Sequence, residues 1–471
     1  MRSERIDKKN SVTSIVITIL PPILLIGVFA YWILTSFFPV VPSACSGALA
    51  VLIACLLIRT SAVFLDQNST AFREDTDIGT RNKRAASSSL KHPVLAVMLI
   101  AALSRILIFI AVYAVHTAVH GYQAGILQMS SLWNPPFSQG TSAMNISNSW
   151  YAASEFPSAS YLPLFPLYPL LISFVNLLTG NRFLAGLILS LLFFVLSAAA
   201  LYLLVRKEYG NTEAFRAVRY LCILPPTFLL NLPAADVLFL LLSIIMLHFA
   251  RRRKFYAASL TGAAAACTAF AGILLFVPVA FELLLNFRED RSVSVKAGPL
   301  AKEYVPRLLA AFLIPAGTLA CAAFIERHSG TAFPWFGVFP GLPNTGLSSV
   351  FRNFAIQVQT LLQAYASGTF HDLYGYVLPN LLCLIAVPLI LFLSARRIRL
   401  SYTLYGICFY LLTSGYGNLV SAPRYMILCV PVLIGLASCI RNKALDFLFS
   451  AASLVLLAGY LYAFTLQWGV F

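Results

Sequence analysis

Tyr161-Leu-Pro-Leu-Phe-Pro-Leu-Tyr-Pro169 is the stretch on which the topology of this chain turns. Its prolines Pro163, Pro166 and Pro169 recur at every third position, fixing φ and withholding backbone N–H groups. A regular helix does not run through such a pattern, and the residue before each proline is pushed toward extended backbone. Yet the stretch is apolar and aromatic, and apolar helical sequence stands on both sides of it. It therefore reads as a bent element against a membrane surface, roofing a site formed by the helices that follow.

Composition sets the class of the surrounding chain. Of 471 residues, 59% are hydrophobic and 11% are charged, and the mean hydropathy is +0.83. Soluble domains carry about 25% charged residues. Apolar runs near the ~20 residues that cross a bilayer recur along the whole chain. The expectation is an all-α polytopic membrane protein. A net charge of +16 raises the question of nucleic acid. The Lys and Arg residues instead sit in short clusters between apolar spans, which is topogenic charge and argues for no nucleic acid. The nine cysteines lie mostly within apolar runs without ligand spacing. They predict no metal site and no disulfide framework.

In order, a basic tail Arg2–Lys9 precedes expected spans at about 13–37 and 45–63. A basic loop follows, then a third span at about 93–115. The segment from His116 to Arg182 holds Glu155 as its only acid and Arg182 as its only Lys or Arg, which places it outside. Here the proline-rich stretch forces a choice. If 162–178 crossed the membrane, Arg206, Lys207, Arg216 and Arg219 would fall outside. If it is a re-entrant or interfacial helix on the outer face, every later basic cluster falls inside. The second choice gives spans at about 183–205, 217–232, 236–250, 256–268, 272–287, 307–325, 373–395, 402–419, 425–440 and 447–467. That makes about 13 transmembrane helices, with the N-terminus cytoplasmic and outer loops at 116–182 and 326–372.

Isolated charges on the outer face single out the candidate chemistry, because a polar group at membrane depth is expensive. Asp236 stands where a span begins, and it reads equally as a helix N-cap carboxylate. Arg424, in Ser421-Ala-Pro-Arg-Tyr425, suits a phosphate oxygen pair or else snorkels to the interface. His371-Asp372 reads as a proton-handling pair or a capped helix start. The aromatic residues Trp150, Tyr151 and Tyr161 read as interfacial anchors that also suit sugar stacking.

Four segments carry a family resemblance. Leu164-Phe-Pro-Leu-Tyr-Pro-Leu-Leu171 resembles the FFPLYPLL signature of PIG-V-type mannosyltransferases, the GPI mannosyltransferase 2-like family. Leu224-Pro-Pro-Thr-Phe-Leu-Leu-Asn-Leu-Pro-Ala-Ala-Asp-Val-Leu-Phe239 is similar to that family's FPPAFFLSAPYSESLF segment, with Asp236 where a glutamate is usual. Pro423-Arg-Tyr-Met-Ile-Leu-Cys-Val-Pro431 resembles its PRYLLPLFP-like segment, placing Arg424 on the family arginine. Trp150-Tyr-Ala-Ala-Ser-Glu155 is similar to its WYLSIAE stretch. Order and spacing agree from about residue 93 onward, so residues 1–91 read as two added N-terminal helices and a basic loop, and 92–471 as the resembling domain.

The resemblance implies a GT-C-like bundle whose long first outer loop contains juxtamembrane helices. It also implies transfer of a hexose, mannose in the named family, from a polyprenyl-phosphate-linked donor to a lipid- or glycan-linked acceptor. The donor is a substrate, and no cofactor or metal is expected. Arg424 would bind the donor phosphate, and Trp150, Tyr151, Tyr168, His371 and Asp372 are candidates to line the substrate site. The membrane would be a bacterial-type cell membrane, or the endoplasmic reticulum in a eukaryote. Two family features are missing. The loop aspartate that serves as base has its counterpart near Ile146-Ser147, or at Trp133-Asn134, and neither is acidic. The TRPxG turn stands as Thr268-Ala-Phe-Ala-Gly272, without its arginine. Either Glu155 or Asp236 has taken over as the catalytic base, or the chain is an inactive relative acting as a partner subunit or a lipid-linked sugar binder or transporter.

Overall fold

The computed structural model describes residues 44–65, 92–120, 139–151, 165–293, 297–330, 350–415, 421–466 and 468. Within them the regular structure is helical and no strand occurs. The helices are α1 (Ala44–Leu65), α2 (Pro93–His120), α3 (Gln139–Ser149), α4 (Leu167–Thr179), α5 (Arg182–Tyr209) and α6 (Asn211–Ile223). They continue as α7 (Asp236–Arg251), α8 (Phe255–Ala266), α9 (Phe276–Val293), α10 (Ala297–Ala311), α11 (Leu313–Ser329) and α12 (Val350–Ser367). The chain ends with α13 (Leu378–Ser394), α14 (Leu400–Ser414), α15 (Ala422–Leu428), α16 (Val430–Cys439) and α17 (Lys443–Thr465). Short 3-10 segments at Pro225–Asn231 and Phe270–Leu275 lead into α7 and α9. The chain is an all-helical, multi-pass membrane protein.

The count of about thirteen spans is not confirmed. Among the described residues, six helices are long and apolar enough to cross a membrane, or up to eight if two bent pairs each count as one span. The expected span at 13–37 lies outside the described residues. Proline accounts for the bends. A straight helix over 217–232 does not form, because Pro225 and Pro226 withhold the N–H groups that would continue α6. The chain then turns through 104° before α7. The span expected at 425–440 is likewise broken at Cys429, two residues before Pro431, with an 81° bend between α15 and α16.

The proline-rich stretch proves to be a helix start. Pro166 is the N-cap of α4 and Pro169 lies in its first turn, where backbone N–H groups have no intrahelical partner to lose. Gly180 ends the helix in the left-handed region, at φ 64°. Thirteen residues span roughly 20 Å at 1.5 Å each, short of the ~30 Å hydrocarbon core. Tyr168 and Ile172 are buried, while Phe174, Leu177 and Leu178 are exposed. An exposed face that apolar belongs in hydrocarbon rather than water.

The N–H of Leu167 donates to the carbonyl of Cys267 at 3.2 Å, so α4 starts on the turn 268–272. That turn folds back sharply onto α8. A Cβ on Gly272 would lie 2.4 Å from Ala266 Cα and 2.7 Å from the Ala265 carbonyl oxygen, both backbone atoms that cannot swing away. Gly272→Ala is therefore expected to destabilise the protein by about 1–3 kcal/mol through overpacking. A shortened inactivation half-life in detergent, relative to a Gly459→Ala control with nothing within 4 Å of its added Cβ, is the measurement.

The bundle has two distinguishable ends. Gly186 and Ser190 of α5 stand beside Pro233 and Leu232, just before α7 begins. Glu208 of α5 pairs with Arg251, near the end of α7, at 2.7 Å. The two helices thus run parallel, and Asp236 and Arg251 mark opposite ends. Glu282 joins Arg399 at 3.1 Å and Arg253 joins Asp290 at 3.0 Å at the Arg251 end. Charge pairs gather there, as the clustering of Lys and Arg in the sequence anticipates.

Candidate active site

The site is built around a helix that stops early. With Pro226 lacking an N–H, the carbonyl of Cys222 loses its helical donor. Arg105, in the middle of α2, supplies a replacement. Its five N–H donors are matched by five oxygen contacts. Nη1 donates to the Thr227 carbonyl at 2.6 Å and to Asn231 Oδ1 at 3.3 Å. Nη2 donates to the Cys222 carbonyl at 2.9 Å and to Thr227 Oγ1 at 3.3 Å. Nε reaches Ser104 Oγ at 3.3 Å. The Asn231 amide donates back to the Arg105 carbonyl at 3.1 Å, and the guanidinium lies 4.1 Å from the centre of the Phe194 ring. A buried arginine thus holds the 3-10 segment through neutral oxygens, and that segment ends five residues before Asp236.

The turn 232–235 is then pressed onto α5. Gly186 has no side chain, and a Cβ there would lie 2.5 Å from Pro233 Cβ. Ser190 Oγ donates to the Leu232 carbonyl at 2.8 Å. The Tyr168 hydroxyl of α4 lies 3.4 Å from both Ser190 Oγ and the Gly186 carbonyl. Asp236 follows as the first residue of α7. The N-cap is Ala235, and no side chain bonds the helix start, so the capping role expected of Asp236 is not observed.

The carboxylate turns to Arg424 instead. Arg424 Nε donates to Asp236 Oδ2 at 2.5 Å across 188 residues of sequence. Their side chains are 13% and 8% exposed, so the guanidinium does not snorkel to a surface. Arg424 is carried by α15, whose first N–H, on Ala422, donates to the buried amide oxygen of Asn380 in α13 at 2.9 Å. The pair therefore sits where two broken elements meet, beside the aromatic residues Tyr168 and Tyr425, both close enough to interact with Asp236 electrostatically. Such a pair offers one base and one cation that matches two phosphate oxygens.

Of the other candidates, Tyr151 is fully buried among Ile146, Phe165, Tyr168 and Ala235, the residue before Asp236. Its ring meets Phe324 edge-on at 6.0 Å. Burial, with Cys321 adding, pushes its phenol above the ordinary value, so it stays a neutral hydroxyl. Trp150 and Tyr151 adopt φ 49° and 65°, left-handed values unusual outside glycine, where the chain leaves α3. The Ser173 hydroxyl of α4 donates to the Ser147 carbonyl at 3.1 Å, seating α3 on the roof. Ile146 and Ser147 are buried within that contact. His371 and Asp372 are exposed on another part of the fold, the histidine ring against Trp468 at 4.2 Å. Glu155 lies outside the described residues, as does Trp133. Three positioning residues were not singled out from sequence as part of the site: Arg105, Asn380 and Gly186. Of these, only Arg105 left a signal, a full charge in the middle of an apolar span.

Comparison with known proteins places this geometry in context. Residues 163–339 match the family model described as dolichyl-phosphate-mannose-protein mannosyltransferase. The match begins in the proline-rich stretch, includes Asp236, and covers less than half of the chain. No curated protein matches the sequence. Among solved structures, the chain is similar to ArnT from Cupriavidus metallidurans in the apo state, with 15% identity, 69% of this chain and 61% of that one covered, and a TM-score of 0.41. The same enzyme bound to undecaprenyl phosphate gives 13% identity, 79% and 64% coverage, and a TM-score of 0.44. The Archaeoglobus fulgidus oligosaccharyltransferase in complex with zinc and sulfate gives 15% identity, 78% and 53% coverage, and a TM-score of 0.42. This chain thus spans less than two thirds of the length of each of these structures.

Proposed function

We propose that this protein is a GT-C-type membrane glycosyltransferase that transfers a hexose from a polyprenyl-phosphate-linked donor to a lipid- or glycan-linked acceptor. The observation that carries the proposal is the buried pairing of Asp236 with Arg424 where two broken helices meet. The family-model match supports the reaction class and makes mannose the first sugar to test. The four PIG-V-like segments support the same choice.

In the proposed reaction, the donor phosphate enters beside Arg424 and competes with the carboxylate for the guanidinium. Asp236 is then released to take the proton of the acceptor hydroxyl. The acceptor oxygen bonds to the anomeric carbon as the carbon–oxygen bond to phosphate breaks. The leaving phosphate keeps the electron pair, and Arg424 stabilises its charge. Because Arg424 supplies that positive charge, we propose no resident metal. Tyr151 and Tyr168 frame the pair, and Glu155 remains the competing candidate for base. The site end would face the outer or lumenal side.

A second reading is favoured by the same pair, because carboxylate and guanidinium already satisfy one another. In it the chain is an inactive scaffold, binding a lipid-linked sugar or a partner subunit without turnover. Transfer from a polyprenyl-phosphate sugar, measured for Glu155→Gln, Asp236→Asn and Arg424→Ala, separates the two. Loss in Arg424→Ala and in one of the two carboxylate variants supports the transferase and names its base. Undiminished transfer by all three variants removes the proposed mechanism, and donor binding by the wild type without turnover establishes the scaffold.

A further inference from the structure

A cleft of about 420 Å³ opens between α1 and the end of α13, lined by Cys55, Ile58, Arg59, Ala62, Phe392 and Arg396. Among the described residues that line it, two are arginines and none is an acid. The Arg59 guanidinium stacks 4.4 Å from the centre of the Phe392 ring. Its Nε is shielded from solvent and finds no hydrogen-bond partner among the described residues. A buried donor left unpaired is costly, and here it borders an open cleft. More positive charge stands close by. Arg397 donates to the carbonyls of Ser438 and Cys439 at 3.0 and 3.2 Å, and Arg397, Arg441 and Arg59 all act electrostatically on Cys439.

The cleft is remote from the candidate active site. Asn380, at the start of α13, holds the helix that carries Arg424, whereas Phe392 and Arg396 are at the other end of α13, a few residues from Arg399 and its partner Glu282. From the cleft an apolar track runs along the two helices toward the middle of the bundle. It consists of Ile58 and Val51 on α1 and Leu389 and Leu393 on α13, all exposed. A phosphate between the two arginines would leave hydrocarbon chains free to follow that track. A free phosphate ion would use only the arginines.

We infer that the cleft between α1 and α13 binds the headgroup of an anionic glycerophospholipid, with Arg59 and Arg396 on the phosphate and the acyl chains along the apolar track. The site joins α1, which belongs to the N-terminal part that the family-like segments do not cover, to the main bundle. It is independent of the transferase reading. Basic clefts between membrane helices commonly take anionic headgroups, at a contribution that corresponds to about five-fold in affinity per arginine.

The test is a titration of the full chain in detergent with phosphatidylglycerol, phosphatidylcholine or inorganic phosphate, read by native mass spectrometry and thermal stabilisation. Phosphatidylglycerol is expected to bind and stabilise, phosphatidylcholine to do so far less, and inorganic phosphate to have no effect at millimolar concentration. Arg59→Gln/Arg396→Gln should weaken phosphatidylglycerol binding by about thirty-fold. Should that variant fail to fold, Ala62→Trp keeps both charges and fills the cleft, with the same expected loss. Equal stabilisation by the two lipids, stabilisation by inorganic phosphate alone, or full phosphatidylglycerol binding by Ala62→Trp would each overturn the inference.

Discussion

Asp236→Asn lowers sugar transfer by about 10²–10⁴-fold while leaving the donor lipid bound, the expected result if this carboxylate takes the acceptor proton. Asparagine keeps the size of the side chain and can still accept a hydrogen bond from Arg424 Nε, but it cannot hold a proton at neutral pH. Donor affinity rests on the guanidinium in this scheme, so the effect should fall on kcat and spare the donor KM. Arg424→Ala should do the reverse in part, raising the donor KM and also slowing departure of the phosphate. Single-turnover transfer in liposomes, with donor binding measured separately, gives both quantities. A folding control is needed, because removing one member of a buried ion pair costs about 3–5 kcal/mol by leaving the other charge unpaired. The exchanged variant Asp236→Arg/Arg424→Asp supplies it: stability is expected to recover and transfer is not. If the exchanged protein transfers sugar at the wild-type rate, the assigned roles are wrong.

Much of this was legible in the sequence, though in pieces. Charge distribution and the spacing of Pro163, Pro166 and Pro169 indicated that 162–178 would not cross the bilayer, and α4 is indeed too short to do so. The reason was only half right. The prolines start the helix rather than forbid it, because each described one sits where its missing N–H is not needed. Asp236 and Arg424 were each conspicuous as lone charges at apolar positions, yet nothing in the sequence paired them across 188 residues. Pairing depends on two chain breaks that hydropathy does not register. Pro225-Pro226 and Pro431 lie inside apolar runs that score as continuous spans, so the breaks turned expected helices into bent pairs. Asn380 acts through its hydrogen bond to the Ala422 N–H and Gly186 through its close approach to Pro233, which periodicity and composition do not reveal.

Arg105→Met should be the most destabilising single change away from the ion pair. Methionine matches the length and apolar body of the side chain, so the expected loss comes from hydrogen bonding rather than from a cavity. Without the guanidinium, the Thr227 carbonyl, the Asn231 amide oxygen and the Cys222 carbonyl each lose a donor, with Thr227 Oγ1 still bonded to the last of them. Each buried acceptor left unmatched costs about 1–3 kcal/mol, giving an expected total of about 3–5 kcal/mol. Removing the charge offsets part of this, since a buried cation without an anion carries its own desolvation cost. Hydrogen bonding wins because three buried acceptors are affected at once, and Pro226 has already deprived one of them, the Cys222 carbonyl, of its helical partner. Arg105→Lys keeps the charge but offers three donors on a single nitrogen, too few to reach Ser104, Cys222, Thr227 and Asn231 together. It is expected to fall between wild type and Arg105→Met. Inactivation half-life in detergent measures stability, and transfer rate measures the site, which lies five residues beyond the clamped segment. Loss of transfer in Arg105→Lys at near-normal half-life marks Arg105 as a positioning residue for Asp236. Normal half-life and normal transfer in Arg105→Met would mean that the 3-10 segment holds its place without the clamp.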